Sequence, residues 1–175
     1  MIDTKHKLNN ILRLEKKIYD ENLIEKKMTG DRYIYISRYI KFLRKEEYYH
    51  NRKKKIMYIF YRRKKNKLGI KLGFEIWDNV FDEGLTIFHA GNIIVNGNSR
   101  IGKNCKLHGN NCIGNNGISE KCPRIGNNVD IGFGAIIIGD ILIADNIKIG
   151  AGAVVVSSFT EPGITIAGVP AKKVK

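Results

Sequence analysis

The sequence predicts a mainly β protein, a parallel β-helix that follows an N-terminal α-helical region. The first observation is a period of six, because ten of the eleven positions spaced by six residues from Val95 to Val155 are aliphatic and only Ser119 is not. A strict period of six fits neither an α-helix nor a plain strand and indicates a repeat architecture. The second observation is that Asn, Gly or Asp recurs three positions after the aliphatic residue, and these residue types enter left-handed backbone conformations most easily. Each group of six residues, hereafter a hexad, therefore predicts a short strand and a tight corner.

The third observation is the distribution of charge, which separates the chain into two parts. The formal net charge is +14, with 22 Lys and Arg against 8 Asp and Glu in residues 1–73 and nine of each in residues 74–175. All of the excess positive charge therefore lies outside the hexads. This division predicts a basic α-helical region over residues 1–71 and a β-helix domain with a C-terminal cap over residues 72–175.

The N-terminal region contains the pattern of several helices. Leu and Ile recur among Lys and Glu over residues 4–28, which predicts an amphipathic helix. The segment 29–31, Thr-Gly-Asp, predicts a stop and a restart. One or two helices are expected over residues 32–65, with a break near residues 49–52. Residues 66–73 contain two glycines and are expected to lead into the β region.

The hexads are interrupted once, between Ile113 and Ile125. Ser119 and Glu120 replace the usual pair of an aliphatic residue and glycine there. Pro123 cannot donate a hydrogen bond to a strand ladder. These features favour a loop that leaves the wall over a regular hexad with one weak residue.

The composition excludes several classes of protein. The N-terminus has charges throughout and lacks the apolar core of a signal peptide, and no run approaches the roughly 20 apolar residues that cross a bilayer. The three cysteines form no Cys-x-x-Cys pair and have no metal-like spacing with histidine. An odd number of cysteines without a secretory segment favours a reducing compartment. The sequence therefore predicts a cytoplasmic protein without a metal site.

Three separate motifs occur in order over residues 72–175. They are the stretch GLTIFHAGNIIVNG at 84–97, the hexads, and the terminal IAGVPAKKVK at 166–175. Together they resemble the left-handed β-helix hexapeptide acyltransferases, specifically the serine acetyltransferases and their saccharide O-acetyltransferase relatives. The resemblance implies a left-handed coil, a homotrimer and acetyl-CoA as the acetyl donor. Handedness does not follow from the spacing, because ordinary parallel crossovers are right-handed.

Histidine suits acetyl transfer from a thioester to a hydroxyl, because this reaction needs a base whose pKa is close to neutral. His89, in the motif IFHAG, lies six residues before Val95, at a position that is aliphatic in the regular hexads. On the residues alone it is as readily a structural histidine at a corner, but it matches the catalytic histidine of the resembled family. His108 is the second choice, as the base or as an acceptor-site residue. His6 and His50 lie in charged helical segments and are interpreted as solvent-facing.

A catalytic imidazole needs a partner that fixes its tautomer and stabilises its charged form. The resembled family places a carboxylate upstream of the histidine, and saccharide-modifying members often carry a Glu-Ile pair there, which Glu75 and Ile76 match. We therefore predict Glu75 as the catalytic partner of His89. Asp78 and Asp82 are alternatives, and each is also explained as a turn-forming residue before a strand.

Two departures from the serine acetyltransferases bear on the acceptor. Phe88 stands where those enzymes usually have aspartate, and residues 120–123, Glu-Lys-Cys-Pro, stand where they usually have Asp-Arg-His-Pro. An amino-acid acceptor needs a cation and an anion, and only Lys121 remains for its carboxylate, whereas a sugar needs neutral hydrogen-bond partners and aromatic faces. We expect Phe88, His108, Lys121 and Cys122 to line the acceptor site. Nothing local in the sequence activates Cys122 as a nucleophile.

The acetyl donor is expected in a groove between neighbouring walls of the trimer, as the resemblance implies. Small residues keep such a groove open, and basic residues of the terminal motif meet the phosphates of CoA as point charges. The small residues also serve as wall packing, and the two roles are compatible. The matching positions are Gly134, Ala135, Gly152 and Ala153 for the groove, and Lys172 and Lys173 for the phosphates.

These observations predict an acetyl-CoA-dependent O-acetyltransferase that acts on a saccharide hydroxyl of a capsule, lipopolysaccharide or exopolysaccharide precursor. Serine O-acetylation, as in cysteine biosynthesis, is the alternative. A nucleic-acid binder is a third hypothesis, but no nucleic-acid motif accompanies the positive charge and we expect no such partner. The stretch 41–71 holds 13 Lys and Arg and is expected instead to contact an anionic membrane at its inner face.

Overall fold

Helices come first in the chain and a coil of short strands follows them. The computed structural model describes residues 1–20 and 23–175. The helices are α1 (Lys5–Tyr19), α2 (Leu23–Thr29), α3 (Arg32–Asn51) and α4 (Lys55–Leu72). The first seven strands are β1 (Phe74–Ile76), β2 (Thr86–Ile87), β3 (Ile93–Val95), β4 (Arg100–Ile101), β5 (Lys106–Leu107), β6 (Cys112–Gly114) and β7 (Arg124–Ile125). The remaining strands are β8 (Asp130–Ile131), β9 (Ile136–Ile138), β10 (Leu142–Ile143), β11 (Lys148–Ile149), β12 (Val154–Val155), β13 (Thr165–Gly168) and β14 (Ala171–Lys173).

The predicted helix over residues 4–28 corresponds to two helices, α1 and α2. Residues 21 and 22, which fall inside that prediction, lie outside the described residues. The hydroxyl of Thr4 accepts from the backbone N–H of Lys7, so α1 begins at a side-chain cap. The predicted restart at residues 29–31 is confirmed, because Asp31 caps α3 by accepting from the N–H of Tyr33 at 2.8 Å.

The prediction that residues 66–73 lead into the β region is wrong, because α4 continues to Leu72. Gly69 allows this by close packing: a Cβ at this position would lie 3.1 Å from the ring of Tyr39 and closer still to the carbonyl of Phe74. Gly69 therefore lets α4 pack closely against α3 and the first strand, and it does not bend the chain. Gly73, with φ +77, ends the helix in the left-handed conformation.

The strands form three sheets that are the three walls of a parallel β-helix. The orders are β1-β3-β6-β9-β12, β10-β7-β4 and β14-β13-β11-β8-β5-β2. Val95 pairs with Ile113 and Ile131 with Ile149, each 18 residues on, so a regular coil has 18 residues. Ile101 pairs with Ile125, 24 residues on, so one coil carries six extra residues. The extra residues lie between β6 and β7, which confirms the loop predicted around Ser119.

The corners and the core follow the hexad pattern. The repeating aliphatic positions and the small or apolar residues four positions later are buried inside the coil, for example Ile137 and Ile141. Asn side chains at successive corners form ladders, with the Nδ2 of Asn104 donating to Asn128 and that of Asn128 donating to Asn146, each at 3.0 Å. Among the corner positions predicted three residues after an aliphatic residue, positive φ is confirmed at Asn104, Asn110, Asn128, Gly134, Asn146 and Gly152. The prediction is wrong at Asn98, Asn116 and Asp140, whose φ is not positive.

Side chains from the helices satisfy the open edge of the first coil, which would otherwise present unpaired backbone groups. The hydroxyl of Tyr19 accepts from the N–H of Ile87 at 2.8 Å and lies 3.1 Å from its carbonyl oxygen. The hydroxyl of Tyr39 accepts from the N–H of Ile76, and the ammonium of Lys65 donates to the Ile76 carbonyl at 2.8 Å. The basic helical region is thus the cap of the β-helix at this end.

A buried ion pair completes the cap. The guanidinium of Arg44, 1% exposed, donates to both carboxylate oxygens of Glu15 and to the carbonyls of Phe81 and Asp82. The same Glu15 carboxylate accepts from the N–H groups of Gly84 and its neighbour, at 3.2 Å each. The pair therefore joins α1, α3 and the first coil.

The other end of the β-helix is covered by the last two strands. β13 pairs in parallel with β11, and β14 then pairs with β13 in antiparallel fashion, with Ile166 opposite Lys173. This hairpin extends the six-stranded sheet beyond β11 at the end of the coil. Among the described helices, none combines the length and the apolar character that crossing a bilayer requires.

Candidate active site

Two predicted site residues lie side by side at the same edge of one wall. β2, β5 and β8 are neighbours in the six-stranded sheet, with Ile87 opposite Leu107 and Leu107 opposite Ile131. Phe88 follows β2 directly and His108 follows β5 directly, so their side chains lie on adjacent coils. Their rings stack, with centroids 4.6 Å apart and planes inclined by 29°.

His108 has a carboxylate partner that the sequence did not indicate. Its Nε2 lies 2.7 Å from the Oδ1 of Asp130, on the next coil. The two side chains are 36% and 33% exposed, so the pair is open to solvent on one side. A carboxylate bonded to one nitrogen of an imidazole fixes the tautomer and the direction in which the other nitrogen faces. The structure therefore presents one oriented histidine at this edge.

His89 lies at the corner beside this pair and is half-buried. A Cβ on Gly109, one coil further on, would lie 3.3 Å from the Cβ of His89 and 3.2 Å from the ring of Phe133. Gly109 has φ +116, a conformation that side chains rarely adopt, so its missing side chain leaves room for both neighbours. The corner thus brings together two histidines and two phenylalanines.

None of the predicted carboxylate partners is hydrogen-bonded to His89 within residues 1–20 and 23–175. Glu75 is an exposed residue of β1, which belongs to the five-stranded sheet and pairs with β3, whereas His89 follows a strand of the six-stranded sheet. Asp78 is buried and bonded to the imidazole Nδ1 of His50. The side chain of His50 is 53% exposed, so its predicted solvent-facing position is confirmed, and its ring also contacts Asp78. Glu75 as the partner of His89 stays a prediction.

The loop with the predicted acceptor residues lies at a different corner. It connects β6 in the five-stranded sheet with β7 in the three-stranded sheet, whereas the histidines follow strands of the six-stranded sheet. The ammonium of Lys121 donates to Asp140 at 2.9 Å, and this ion pair raises the pKa of Lys121. Cys122 is only 6% exposed, and its thiol is oriented to the carbonyl of Glu120. Within one chain, Lys121 and Cys122 are not brought together with Phe88 and His108.

The predicted donor positions form a row at one corner. Gly134 and Gly152 have φ values of +73 and +67, and a Cβ on Gly152 would meet nothing within 4 Å. The methyl groups of Ala135 and Ala153 are fully buried in the core, so these two residues offer a surface only their backbone atoms. Open space beside glycines in the left-handed conformation lets an extended, unbranched ligand approach the backbone closely.

The two predicted phosphate-binding lysines differ in their surroundings. Lys173 donates to both carboxylate oxygens of Glu161, at 2.7 and 2.8 Å. Lys172 lies opposite Ala167 in the terminal hairpin and is exposed. Both lysines are exposed, and a phosphate reaches Lys172 without breaking the ion pair that Lys173 forms with Glu161.

Cysteine and metal chemistry find no support at this site. Burial raises the pKa of Cys105 and of Cys112, so both thiols stay protonated and weakly nucleophilic near neutral pH. In the part of the chain that the structure describes, no three His, Cys, Asp or Glu side chains are grouped so that they could hold a metal ion. The chemistry of this edge is that of the histidines and Asp130.

Asp130 and Phe133 are site residues that sequence reasoning missed. A regular 18-residue coil would place residue 126 beside His108, whereas the 24-residue coil places Gly132 there, with the N–H of His108 bonded to the Ile131 carbonyl. The signal that could have found Asp130 was therefore the length of the loop between β6 and β7. Counting coils with that loop removed brings Asp130 next to His108.

Comparison with solved structures assigns the fold to a group of enzymes. No protein-family model matches the sequence, and no curated protein matches it. The structure of serine acetyltransferase from Brucella abortus strain S19 in complex with coenzyme A superposes with a TM-score of 0.78 at 24% identity, covering 97% of this chain and 68% of that one. Serine acetyltransferases are among the solved structures that this chain resembles. The likeness confirms the predicted fold, a left-handed parallel β-helix of hexapeptide repeats behind an α-helical region.

Two further serine acetyltransferases show the extent of the likeness. The enzyme from Neisseria gonorrhoeae is 26% identical with a TM-score of 0.72, over 97% of this chain and 68% of that one. The soybean enzyme complexed with serine is 26% identical with a TM-score of 0.65, over 76% of this chain. This chain spans only 56% of the soybean enzyme's length. The chain is thus similar to serine acetyltransferases in fold and distantly similar to them in sequence.

Proposed function

We propose that the chain is an O-acetyltransferase that moves an acetyl group from acetyl-CoA to an acceptor hydroxyl. The observation that carries the proposal is the pair of half-buried histidines, His89 and His108, on adjacent coils at one edge of a serine acetyltransferase-like β-helix. The similar Brucella enzyme is solved in complex with coenzyme A, which supports the same donor here. Neutral imidazole is the side chain best suited to accept a proton from a hydroxyl near neutral pH.

In this proposal His89 is the general base, as the sequence motif predicts. It takes the proton of the acceptor hydroxyl while the hydroxyl oxygen attacks the thioester carbonyl carbon. The carbon–sulfur bond then breaks, the imidazolium returns the proton to the departing sulfur, and an acetyl ester and free CoA result. Backbone N–H groups at the corner would stabilise the negative charge that develops on the carbonyl oxygen.

His108, Asp130 and Phe88 are proposed to hold the acceptor beside the base. Asp130 fixes the imidazole of His108 at 2.7 Å, and the ring of Phe88 covers its face. Such a pair offers one hydrogen-bonding nitrogen in a defined direction and a flat apolar neighbour. His108 is also the alternative base, because it alone of the two histidines has a bonded carboxylate among the described residues.

The donor is proposed to lie along the row of Gly134 and Gly152. Their left-handed backbone and open Cβ positions fit a pantetheine chain that bonds to main-chain groups. Lys172 is the proposed contact for a CoA phosphate. The groove needs a second wall, and we propose that a homotrimer supplies it. The same assembly would bring the loop with Lys121 and Cys122 of one subunit towards the histidine edge of the next.

L-serine is the proposed acceptor, because the enzymes that resemble this chain are serine acetyltransferases and one of them is solved with serine. This choice revises the sequence-based preference for a saccharide, which these relatives support less well. A saccharide stays the second candidate because of one observation. Phe88 stacks on His108 at the place where an acidic residue would be expected to hold an ammonium group.

Release of CoA from acetyl-CoA, followed with a thiol reagent, tests the proposal with L-serine and with a panel of sugars and sugar nucleotides. Serine-dependent release supports the proposed acceptor. Release with a sugar alone supports the second candidate and rejects serine. If a folded protein that binds CoA releases no CoA with L-serine or with any of the sugars, O-acetyl transfer to these acceptors is rejected.

A further inference from the structure

The outward face of α4 carries an unusual mixture of large apolar and cationic side chains. Its inward face packs on α3 and the first coil through positions spaced by three and four residues, namely Tyr58, Tyr61, Lys65, Leu68, Gly69 and Leu72. The opposite face holds Ile56, Ile59, Phe60 and Ile70, which are 84%, 53%, 45% and 85% exposed. Four large apolar side chains on one exposed helical face form a patch that a soluble surface seldom carries without a partner.

Cations surround this apolar patch, and acidic residues are absent from its sequence. Residues 48–74 contain ten Lys and Arg and no Asp or Glu. Arg63 and Lys67 lie on the same exposed face, between Phe60 and Ile70. The ammonium of Lys64 lies 4.3 Å from the ring centroid of Phe60, so charge and apolar surface are interleaved side by side. Interleaving of this kind is typical of helices that lie in the boundary layer of a membrane.

We propose that this face of α4, defined by Ile56, Ile59, Phe60, Arg63, Lys64, Lys67 and Ile70, docks on an anionic lipid bilayer. The apolar side chains would enter the boundary between headgroups and acyl chains, while the Lys and Arg side chains contact lipid phosphates. Both components are required, because the phosphates attract only the cations and the acyl chains accommodate only the apolar groups. The proposal does not depend on the identity of the acceptor.

The chemistry of the face favours a bilayer over the other partners of a basic surface. A nucleic acid would contact the cations and leave Ile56 and Ile70, each more than four-fifths exposed, in water. A second copy of the same face would bring Arg63, Lys64 and Lys67 against the same three cations with no acidic residue of the face to pair with them. An anionic bilayer is the partner that satisfies the charge and the apolar surface together.

Co-sedimentation of the full chain with vesicles tests the proposal. One vesicle preparation is pure phosphatidylcholine and the other is an equimolar mixture of phosphatidylglycerol and phosphatidylcholine. The wild type is expected to sediment with the mixed vesicles and to be released by high salt, because exposed charges are screened. Ile59→Ser/Phe60→Ser and Lys64→Glu/Lys67→Glu are each expected to lower the bound-to-free ratio by more than about tenfold.

The matched control is Lys5→Glu/Lys17→Glu, which changes the net charge equally on the exposed surface of α1. It should retain most of the binding, and thermal melts should show that all variants are folded. Equal loss of binding in this control would overturn the assignment to α4. So would failure of the wild type to bind mixed vesicles, tighter binding to duplex DNA at the same phosphate concentration, or a smaller oligomer in the Ile59→Ser/Phe60→Ser variant.

Discussion

The imidazole of His108 and the carboxylate of Asp130 are joined across two adjacent coils, with Nε2 2.7 Å from Oδ1. The two residues are 22 positions apart in the chain, and the loop between β6 and β7 determines that they meet. Phe88 stacks on the imidazole from the preceding coil. Three consecutive coils therefore contribute to one edge, and a change at Asp130 tests whether that edge recognises the acceptor.

Asp130→Asn keeps the shape of the side chain but removes its charge. The amide no longer fixes the imidazole tautomer strongly, so we expect the acceptor KM to rise about tenfold. The KM for acetyl-CoA should not change, since the side chain of Asp130 bonds to His108 and not to the proposed donor residues Gly134, Gly152 and Lys172. Steady-state kinetics with each substrate varied in turn measure both constants. Glu83→Gln, which neutralises a carboxylate paired with Lys103 on the surface, is the control. A rise confined to the KM for acetyl-CoA would contradict the acceptor-site assignment.

Gly109→Ala tests whether the corner positions His89. The new Cβ would lie 3.3 Å from the Cβ of His89, so the histidine must shift by a few tenths of an ångström. Displacement of a catalytic group on this scale is expected to lower kcat about tenfold. Gly139→Ala is a matched control, because its φ of +103 is similar to the +116 of Gly109 but its Cβ would meet nothing within 4 Å. Equal kcat values in two equally folded variants would count against the role of His89.

Replacing Arg44 tests the buried cap. Arg44→Met leaves the carboxylates of Glu15 and Glu47 buried without their main cation, and burial already raises the pKa of Glu47. We expect the free energy of unfolding to fall by about 3–5 kcal/mol, as for other broken buried pairs. Urea denaturation followed by circular dichroism measures the change. Lys103→Met breaks the exposed pair with Glu83 and should leave the urea midpoint within experimental error.

Tyr19→Phe tests the phenol that bonds both backbone groups of Ile87. Burial raises the pKa of Tyr19, so the folded state keeps this proton above pH 10 while the unfolded state releases it. Each such group makes the free energy of unfolding fall by about 1.4 kcal/mol per pH unit above pH 10. Because Tyr39 behaves in the same way, the wild type should lose stability steeply there. The variant should be less stable at pH 8. Above pH 10 its free energy of unfolding should fall less steeply with pH, because one tyrosine fewer releases a proton on unfolding. An unchanged slope would contradict the burial argument.

The architecture was predictable because burial in a β-helix repeats with the chain. Each wall needs an inward aliphatic residue every six positions, and each corner needs a backbone that turns, so Val95, Ile101 and Asn104 already carry the information locally. The loop was predictable for the same reason, since Ser119 cannot fill an aliphatic position. The end of α2 and the restart of α3 followed from Asp31, whose side chain caps only its own neighbourhood.

The contacts between coils and helices were not predictable, because they depend on distances that local patterns do not contain. Asp130 reaches His108 only after the 24-residue coil shifts the register by six residues. Glu15 and Arg44 occupy positions that look like the charged face of a helix, although both are buried. Glu75 matches a Glu-Ile pair of the resembled family, but the sequence does not show that its strand belongs to a different wall from the strand before His89.

The most direct measurement of the central claim is CoA release by His89→Ala with L-serine and acetyl-CoA. The account predicts a loss of more than about 100-fold in kcat, because the general base is removed. It also predicts unchanged oligomeric state and unchanged CoA binding by calorimetry. His6→Ala, at an exposed histidine bonded to Asn10, should keep full activity. Full activity of a folded His89→Ala protein would contradict the account and transfer the role of base to His108.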